Sequence, residues 1–145
     1  MPAIRMLQET ISVRSKDHVE IVDLTNPIRD IVRGADIDEG LLLVNAMHTT
    51  CALFVNEYQA ALVEDLKAML CELIADHGGF MHDDPRHSDC ERGNGSAHLR
   101  AALLGRSVAL GITARELSLG RFQSIIFADL DGPRTRDIDV RIFGR

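Results

Sequence analysis

In the stretch RDIDVRIF, residues 136–143, charged and apolar side chains alternate from Asp137 to Ile142. Ile138, Val140 and Ile142 therefore share one face of an extended chain, while charged side chains occupy the other face. This period of two is typical of an antiparallel strand with one buried face and one face in water. A fold rich in antiparallel sheet is the first expectation.

Six further runs of apolar and β-branched residues indicate more strands. They lie at residues 4–13, 19–24, 41–47, 52–55, 108–112 and 124–128. The last run is joined to residues 136–143 by the turn sequence Asp131-Gly132-Pro133, which predicts a closing hairpin. Roughly seven short strands predict two packed sheets.

Helical patterns separate some of these strands. The main one spans residues 57–76, with Asn56 as the expected cap and Gly78 as the stop. Its apolar positions form one stripe, made of Leu62, Leu66, Met69, Leu70 and Leu73. Shorter helices are expected at residues 25–32 and at residues 97–104, the latter capped by Ser96 and ended by Gly105. We predict a single α+β domain over residues 1–145: an antiparallel β-sandwich of about seven strands with two or three packed helices.

The composition excludes several classes of function. The 145 residues carry a net charge of −6, which has the wrong sign for attraction to nucleic acid or to an anionic membrane. No apolar run approaches the roughly 20 residues of a membrane helix, and no secretory apolar segment follows Met1. Three cysteines without a CxxC pair suit a reducing compartment. We therefore expect a cytoplasmic protein.

Histidines are the most informative polar residues of the chain. His48 follows an apolar strand, where it is either a metal ligand or general base, or a strand-end side chain bonded to nearby backbone. His98 lies near the start of a predicted helix, whose dipole favours the neutral, metal-binding ring. His82 lies in a polar loop at residues 78–95, beside two aspartates that could orient it. The remaining histidines are expected at the surface: His18, His77 and His87.

Two arginines follow the predicted hairpin turn. Arg134 and Arg136 occupy alternate positions, so both guanidinium groups can point to one side and bind phosphate or carboxylate oxygens. The alternative is a pair of salt bridges, because four aspartates lie nearby at positions 129, 131, 137 and 139.

Five segments, in the same order and at compatible spacing, resemble the YjbQ-like family, also known as the secondary thiamine-phosphate synthase enzyme family. The matching positions are His48-Thr49-Thr50-Cys51-Ala52 with Asn56-Glu57 and Asp65, His82-Asp83-Asp84-Pro85 with Glu91 to Asn94, Ala97-His98-Leu99-Arg100-Ala101 with Leu104-Gly105, Leu119-Gly120 with Gln123, and Asp131-Gly132-Pro133-Arg134 with Arg136.

The resemblance implies a homotrimer and a site for a divalent metal, with zinc favoured and magnesium possible. Its ligands would be His48, His82 and His98, and Glu57 or Asp65 would act as catalytic base. The activity implied is the joining of a hydroxymethylpyrimidine pyrophosphate to a thiazole phosphate. The substrate, a small phosphorylated metabolite, would be bound by Asn56, Asn94, Gln123, Arg134 and Arg136.

Two alternatives belong to other functional classes. Three histidines would leave an open position on the metal, which suits a hydrolase of small phosphorylated or acyl substrates. A trimer that holds an anionic metabolite without turnover is the non-enzymatic alternative.

Overall fold

Eight strands and three α-helices make up residues 3–145, the part of the chain that the computed structural model describes. In chain order they are β1 (Arg5–Arg14), β2 (Glu20–Asp23), α1 (Thr25–Gly34), β3 (Glu39–Ala46), β4 (Cys51–Asn56), α2 (Ala60–Leu73), α3 (Gly95–Leu104), β5 (Ser107–Thr113), β6 (Glu116–Leu117), β7 (Ser124–Asp129) and β8 (Thr135–Gly144), with a 3-10 helix (Met81–Asp83) before α3. The predicted α+β class is confirmed. No helix in this range is long and apolar enough to cross a membrane.

The strands form two antiparallel sheets. The large sheet has the order β1-β8-β3-β5-β6, and the small sheet has the order β2-β7-β4. The alternation of residues 136–143 is explained by the position of β8 in the large sheet. Ile138, Val140 and Ile142 are fully buried between the sheets, while the intervening side chains lie on the outer face.

The predicted hairpin between residues 124–128 and 136–143 is wrong. β7 pairs with β2 and β4 in the small sheet, whereas β8 pairs with β1 and β3 in the large sheet. The physical reason is that β7 is the central strand of its own sheet, so both of its edges already have partners. The segment from Leu130 to Arg134 therefore crosses from one sheet to the other.

The core has two parts, one on each face of the small sheet. Between the sheets, Leu53 and Phe127 pack with Val44 and Val140 of the large sheet. On the opposite face, residues of β4 and β7 pack against α2 and α3. Because the small sheet is covered on both faces, β7 is an unbroken buried run from Ile125 to Asp129.

The helices differ from prediction at their ends and in their exposure. α2 begins after Gln59, whose side-chain oxygen accepts a hydrogen bond from the Leu62 amide, and not after Asn56. Its stripe is also only partly buried, because Leu70 alone is fully covered and Leu73 is 63% exposed. α3 begins at Gly95, one residue before the expected Ser96 cap, and ends as predicted at Gly105, which has a φ of +86° that favours glycine.

Candidate functional site

A cavity of about 550 Å³ lies where three segments meet. They are the turn between β3 and β4, the start of α3, and the segment that crosses from β7 to β8. Its lining residues define what we call the arginine-histidine cavity: Met47, His48, Thr49, Thr50, Cys90, Arg92, Asn94, His98, Arg134 and Arg136. The two predicted arginines and two of the three predicted histidines are thus brought together.

The lining of this cavity is unusual in its charge. Three arginines and two histidines contribute to it, and none of its lining residues within the described chain is an aspartate or glutamate. The protein as a whole has a net charge of −6. A concave surface with positive charge on an acidic protein concentrates anions, and guanidinium groups match the oxygens of phosphate and carboxylate.

Arg136 forms a buried ion pair with Asp129 at the wall of the cavity. Its Nη2 donates to Asp129 Oδ1 over 2.9 Å, its Nε donates to Asp129 Oδ2 over 3.0 Å, and Nη2 also donates to the Thr50 hydroxyl over 3.0 Å. Burial alone would raise the pKa of Asp129, but hydrogen bonds from Arg136 and Ser15 outweigh it and lower that pKa. The predicted alternative of two salt bridges therefore describes Arg136, and it also describes Arg134, which pairs with Asp131.

Arg134 is more accessible than Arg136. Its Nη2 lies 3.1 Å from Asp131 Oδ2, which also accepts a hydrogen bond of 2.9 Å from Asn94 Nδ2. The Arg134 side chain is 34% exposed. Its guanidinium carries five N–H donors, so the contact with Asp131 leaves donors for an oxygen-rich ligand. Arg134 and Asn94 are thus held side by side on one carboxylate.

His48 is tied to the backbone of the large sheet. Its Nε2 accepts a hydrogen bond of 3.3 Å from the main-chain N–H of Asp137 at the start of β8. This contact matches the strand-end alternative for His48, and it makes Nδ1 the nitrogen that carries the proton in the neutral ring. His48 nevertheless lines the cavity together with His98.

His82 and His98 form a ring pair beside the cavity. Their ring centroids are 4.7 Å apart and the planes are tilted by 55°. Asp83 orients His82 through a contact of 3.0 Å between Oδ1 and Nδ1, and the same oxygen accepts a 2.8 Å hydrogen bond from the Gly95 amide at the start of α3. The contact with His82 is the main cause that lowers the pKa of Asp83. Burial opposes it by a smaller amount, and the hydrogen bond from the Gly95 amide adds a lesser lowering.

The three predicted metal ligands have suitable chemistry but are not assembled as a ligand set. His98 is close to His82 and shares the cavity with His48. In the described part of the chain, however, no group of three or more His, Cys, Asp or Glu side chains is placed to hold one ion. The fold of a single chain therefore does not fit a three-histidine metal centre.

The other predicted site residues lie elsewhere. Asn56 is at the far end of β4 from the cavity, about 16 Å away at the usual rise of an extended strand. Glu57 follows it, and Gln123 lies at the same end, since Asn56 pairs with Ser124. Asp65 is exposed on α2. The structure thus separates these residues from the arginine-histidine cavity.

Some lining residues were absent from the predicted site. Thr50 is held by Arg136, and Arg92 is an exposed arginine in the polar segment before α3. The position of Arg92 in a long loop without apolar period was a usable signal, since such loops often carry function. His18, His77 and His87 are exposed, as predicted.

Comparisons with known proteins agree with this fold. The sequence profile of the family described as "UPF0047 protein YjbQ-like" matches residues 9–145. A UPF0047 protein of Archaeoglobus fulgidus is 37% identical over 131 residues, which cover 90% of this chain and 97% of that protein. One from Methanothermobacter thermautotrophicus is 33% identical, over 94% of this chain and 92% of that protein. The crystal structure of a YbjQ-like protein of unknown function from Sulfolobus solfataricus has a TM-score of 0.92 and 29% identity, and covers 99% of this chain and 100% of that one.

Proposed function

This chain belongs to the family of YjbQ-like UPF0047 proteins, and we propose that it binds a small phosphorylated metabolite in the arginine-histidine cavity. One observation carries the proposal. Within residues 3–145, that cavity is lined by three arginines and no carboxylate, although Asp129 and Asp131 pair with two of these arginines and the protein has a net charge of −6. Positive charge in one concave place on an acidic surface has a direct physical use in anion binding.

Each cationic group has a distinct part in this binding. Arg134 and the exposed Arg92 supply guanidinium donors to the phosphate oxygens. The start of α3 adds the positive end of a helix dipole next to Asn94. Arg136 is already paired with Asp129, so its main part is to position Thr50 and to add to the electrostatic potential of the cavity. A direct contact with the phosphate is left to the other arginines.

The activity we propose for the bound metabolite is transfer of the thiamine-phosphate synthase type. In this reaction a hydroxymethylpyrimidine pyrophosphate is joined to a thiazole phosphate, and pyrophosphate leaves. The negative charge that develops on the leaving pyrophosphate would be stabilised by Arg134 and Arg92. The family resemblance in five segments, together with this distribution of charge, supports the proposal.

A divalent metal remains part of the proposal as a prediction to be tested by metal content. The resemblance names His48, His82 and His98 as ligands, and imidazole nitrogen suits zinc, whereas magnesium prefers the carboxylate oxygens that the cavity lacks. Because the described chain does not assemble the three rings around one ion and Nε2 of His48 accepts from the Asp137 amide, zinc binding requires these side chains to move from the arrangement described above. We expect His48→Ala and His98→Ala to lose bound zinc, and His18→Ala, on the exposed surface, to retain it. Equal zinc content in all three variants, measured by atomic emission, would refute the ligand set.

We also propose that the protein acts as a homotrimer with sites shared between subunits. Asn56, Glu57 and Gln123 lie at the opposite end of the small sheet from the cavity of their own chain. They can reach a ligand in an arginine-histidine cavity only if that cavity belongs to a neighbouring subunit. The separation of these residues within one chain supports a shared site.

Anion binding without turnover is the second candidate function. It is favoured by the absence of any carboxylate from the described lining, since a general base is a common need of transferases and hydrolases. Glu57 and Asp65, the bases that the resemblance implies, lie outside the cavity of their own chain.

Calorimetric titration with pyrophosphate tests the binding proposal. Arg134→Gln is expected to weaken binding by about tenfold or more, because it removes a charge-assisted contact. Arg33→Gln removes the same charge from an exposed pair with Glu116 and serves as the matched control. Absence of pyrophosphate binding by the wild-type protein would refute the proposal.

Incubation with both phosphorylated halves then separates the two candidate functions. We expect thiamine phosphate to form, with added magnesium or zinc, above the level of a His48→Ala control. Binding of pyrophosphate without any product would favour the non-enzymatic candidate and contradict the transferase.

A further inference from the structure

A second cavity of about 450 Å³ adjoins the arginine-histidine cavity. Four residues line both of them: Met47, His48, Thr49 and His98. The two spaces therefore lie next to each other, with both imidazoles at the boundary between them.

The wall of the second cavity is made of small, uncharged side chains. Ala46 and Cys51 come from the end of β3 and the start of β4, Ala101 and Ala102 come from the second half of α3, and Gly105 follows that helix. Burial raises the pKa of the Cys51 thiol to about 12, so this side chain stays neutral at physiological pH. We call this space the small-residue cavity.

The small-residue cavity is open because backbone contacts hold its walls in place. The Leu53 amide donates to the Gly105 carbonyl over 3.0 Å, and the Ala46 amide donates to the Arg106 carbonyl over 2.9 Å. These bonds fix the segment that follows α3 against β4 and against the end of β3. Short side chains at Ala101 and Ala102 then leave room that longer side chains would fill.

We propose that the natural ligand is an organic phosphate of two parts, with the phosphate among the arginines and an uncharged organic group in the small-residue cavity. This inference rests on the proposed function. An uncharged group fits because the only charged side chain specific to that cavity's lining is Arg106, which is exposed at its edge. Apolar area that the organic group buries there adds to the affinity supplied by the phosphate. The bond between the two parts would lie next to His48 and His98.

The experiment compares inorganic phosphate with phenyl phosphate by calorimetric titration. The wild-type protein is expected to bind phenyl phosphate about tenfold more tightly, because the ring buries apolar area in a partly open cavity. Ala102→Leu fills the small-residue cavity from an exposed helix position, and it should remove this advantage while leaving phosphate affinity unchanged. Ala68→Leu is the matched control, since it makes the same change on the exposed face of α2.

The outcomes separate this inference from the proposed function. If phosphate binds and Arg134→Gln weakens that binding, but phenyl phosphate binds no more tightly than phosphate, the two-part ligand is wrong and the anion site is still supported. If neither compound binds the wild-type protein, both are wrong. If Ala102→Leu weakens phosphate and phenyl phosphate equally, or changes the number of subunits measured by light scattering, the small-residue cavity does not hold an organic group.

Discussion

Arg136 and Asp129 form the most buried charged pair described above, with side chains that are 4% and 1% exposed. Alternation along β8 should place an apolar side chain at position 136, and the chain has an arginine there instead. Asp129 neutralises it, and Ser15 and Thr50 complete the hydrogen bonds of the pair. A charge at this depth is stable only while its partner is present.

Asp129→Asn is therefore expected to lower the free energy of unfolding by about 3–5 kcal/mol, since Arg136 would be left without its counter-charge. Asp137→Asn is the control, because Asp137 is exposed on the same strand and bonded to Ser12. It should change stability by about 0.5 kcal/mol or less. Urea unfolding at neutral pH measures both, and equal effects would contradict a special role for the buried pair.

The same pair predicts a pH dependence. The pKa of Asp129 is lower in the folded protein than in the unfolded chain, so folding favours its charged form. Its stabilisation is complete above the unfolded-chain pKa of about 3.9 and is lost as the pH falls through the lower folded-state pKa. The wild-type protein should lose more stability than Asp129→Asn when the pH is lowered from about 5 to about 3. Parallel losses in the two proteins would contradict the assignment.

Among the elements, strands were predicted well and their partners were not. Each of the seven expected strands exists within two residues of its predicted ends. Alternation reports that one face of a strand is buried, but it does not report which strand lies beside it. The hairpin was predicted from the turn at Asp131-Gly132-Pro133, which instead carries the chain between sheets. β6, only two residues long, is too short to show a pattern.

Arg100 joins two helices at their ends. It is fully buried in α3, where Nε and Nη2 both donate to the carbonyl of Ile74 at the end of α2, and Nη1 donates to Asp76 over 2.9 Å. Replacement of Arg100 by a side chain without N–H donors would leave the Ile74 carbonyl oxygen without these hydrogen bonds, which destabilises the folded state. The end of α2 is thereby attached to the helix that carries His98.

Arg100→Met is expected to cost about 1–3 kcal/mol of unfolding free energy, because the carbonyl loses its buried partners. Asp76→Asn should cost under about 1 kcal/mol, since Asp76 is 48% exposed and its ion pair is screened by water. Urea unfolding of the two variants is the measurement. If Asp76→Asn lowered the free energy of unfolding as much as Arg100→Met does, the ion pair with Asp76, and not the hydrogen bonds to the Ile74 carbonyl, would be the main stabilising contact of Arg100.

At the scale of the whole molecule, the sequence identified many residues of the candidate site, but it did not show which of them lie together in one cavity. His48, Arg134 and Asn94 come together because the ends of β3, β7 and the start of α3 meet. Asn56 and Gln123 carry equally suggestive side chains but lie at the other end of the small sheet. The spacing of residues along the chain does not tell which ends of the strands lie together. Only the fold shows that His48, Arg134 and Asn94 share one end, and that Asn56 and Gln123 lie at the other.

The proposed homotrimer predicts a mass in light scattering of three times the 16.0 kDa of one chain. Exposed apolar side chains lie together on the outer face of the large sheet, where Met6 and Leu41 flank Phe143. Leu41→Glu should therefore reduce the mass to that of a monomer. Leu73→Glu, which places the same charge on the exposed side of α2, should leave the trimer intact. A wild-type monomer would contradict the assembly and the shared site.

Titration of nitrogen-15-labelled protein with inorganic phosphate, followed by amide chemical shifts, locates the anion site directly. We predict saturable shifts concentrated at the residues around the arginine-histidine cavity, namely Thr49, Thr50, Asn94 and His98. Arg134→Gln should raise the phosphate concentration needed for half-saturation by about tenfold or more, and Arg33→Gln should leave it unchanged. Saturable shifts at Asn56 and Gln123 alone, or cavity shifts that saturate at the same phosphate concentration in Arg134→Gln as in the wild-type protein, would contradict the central claim that this cavity binds phosphate.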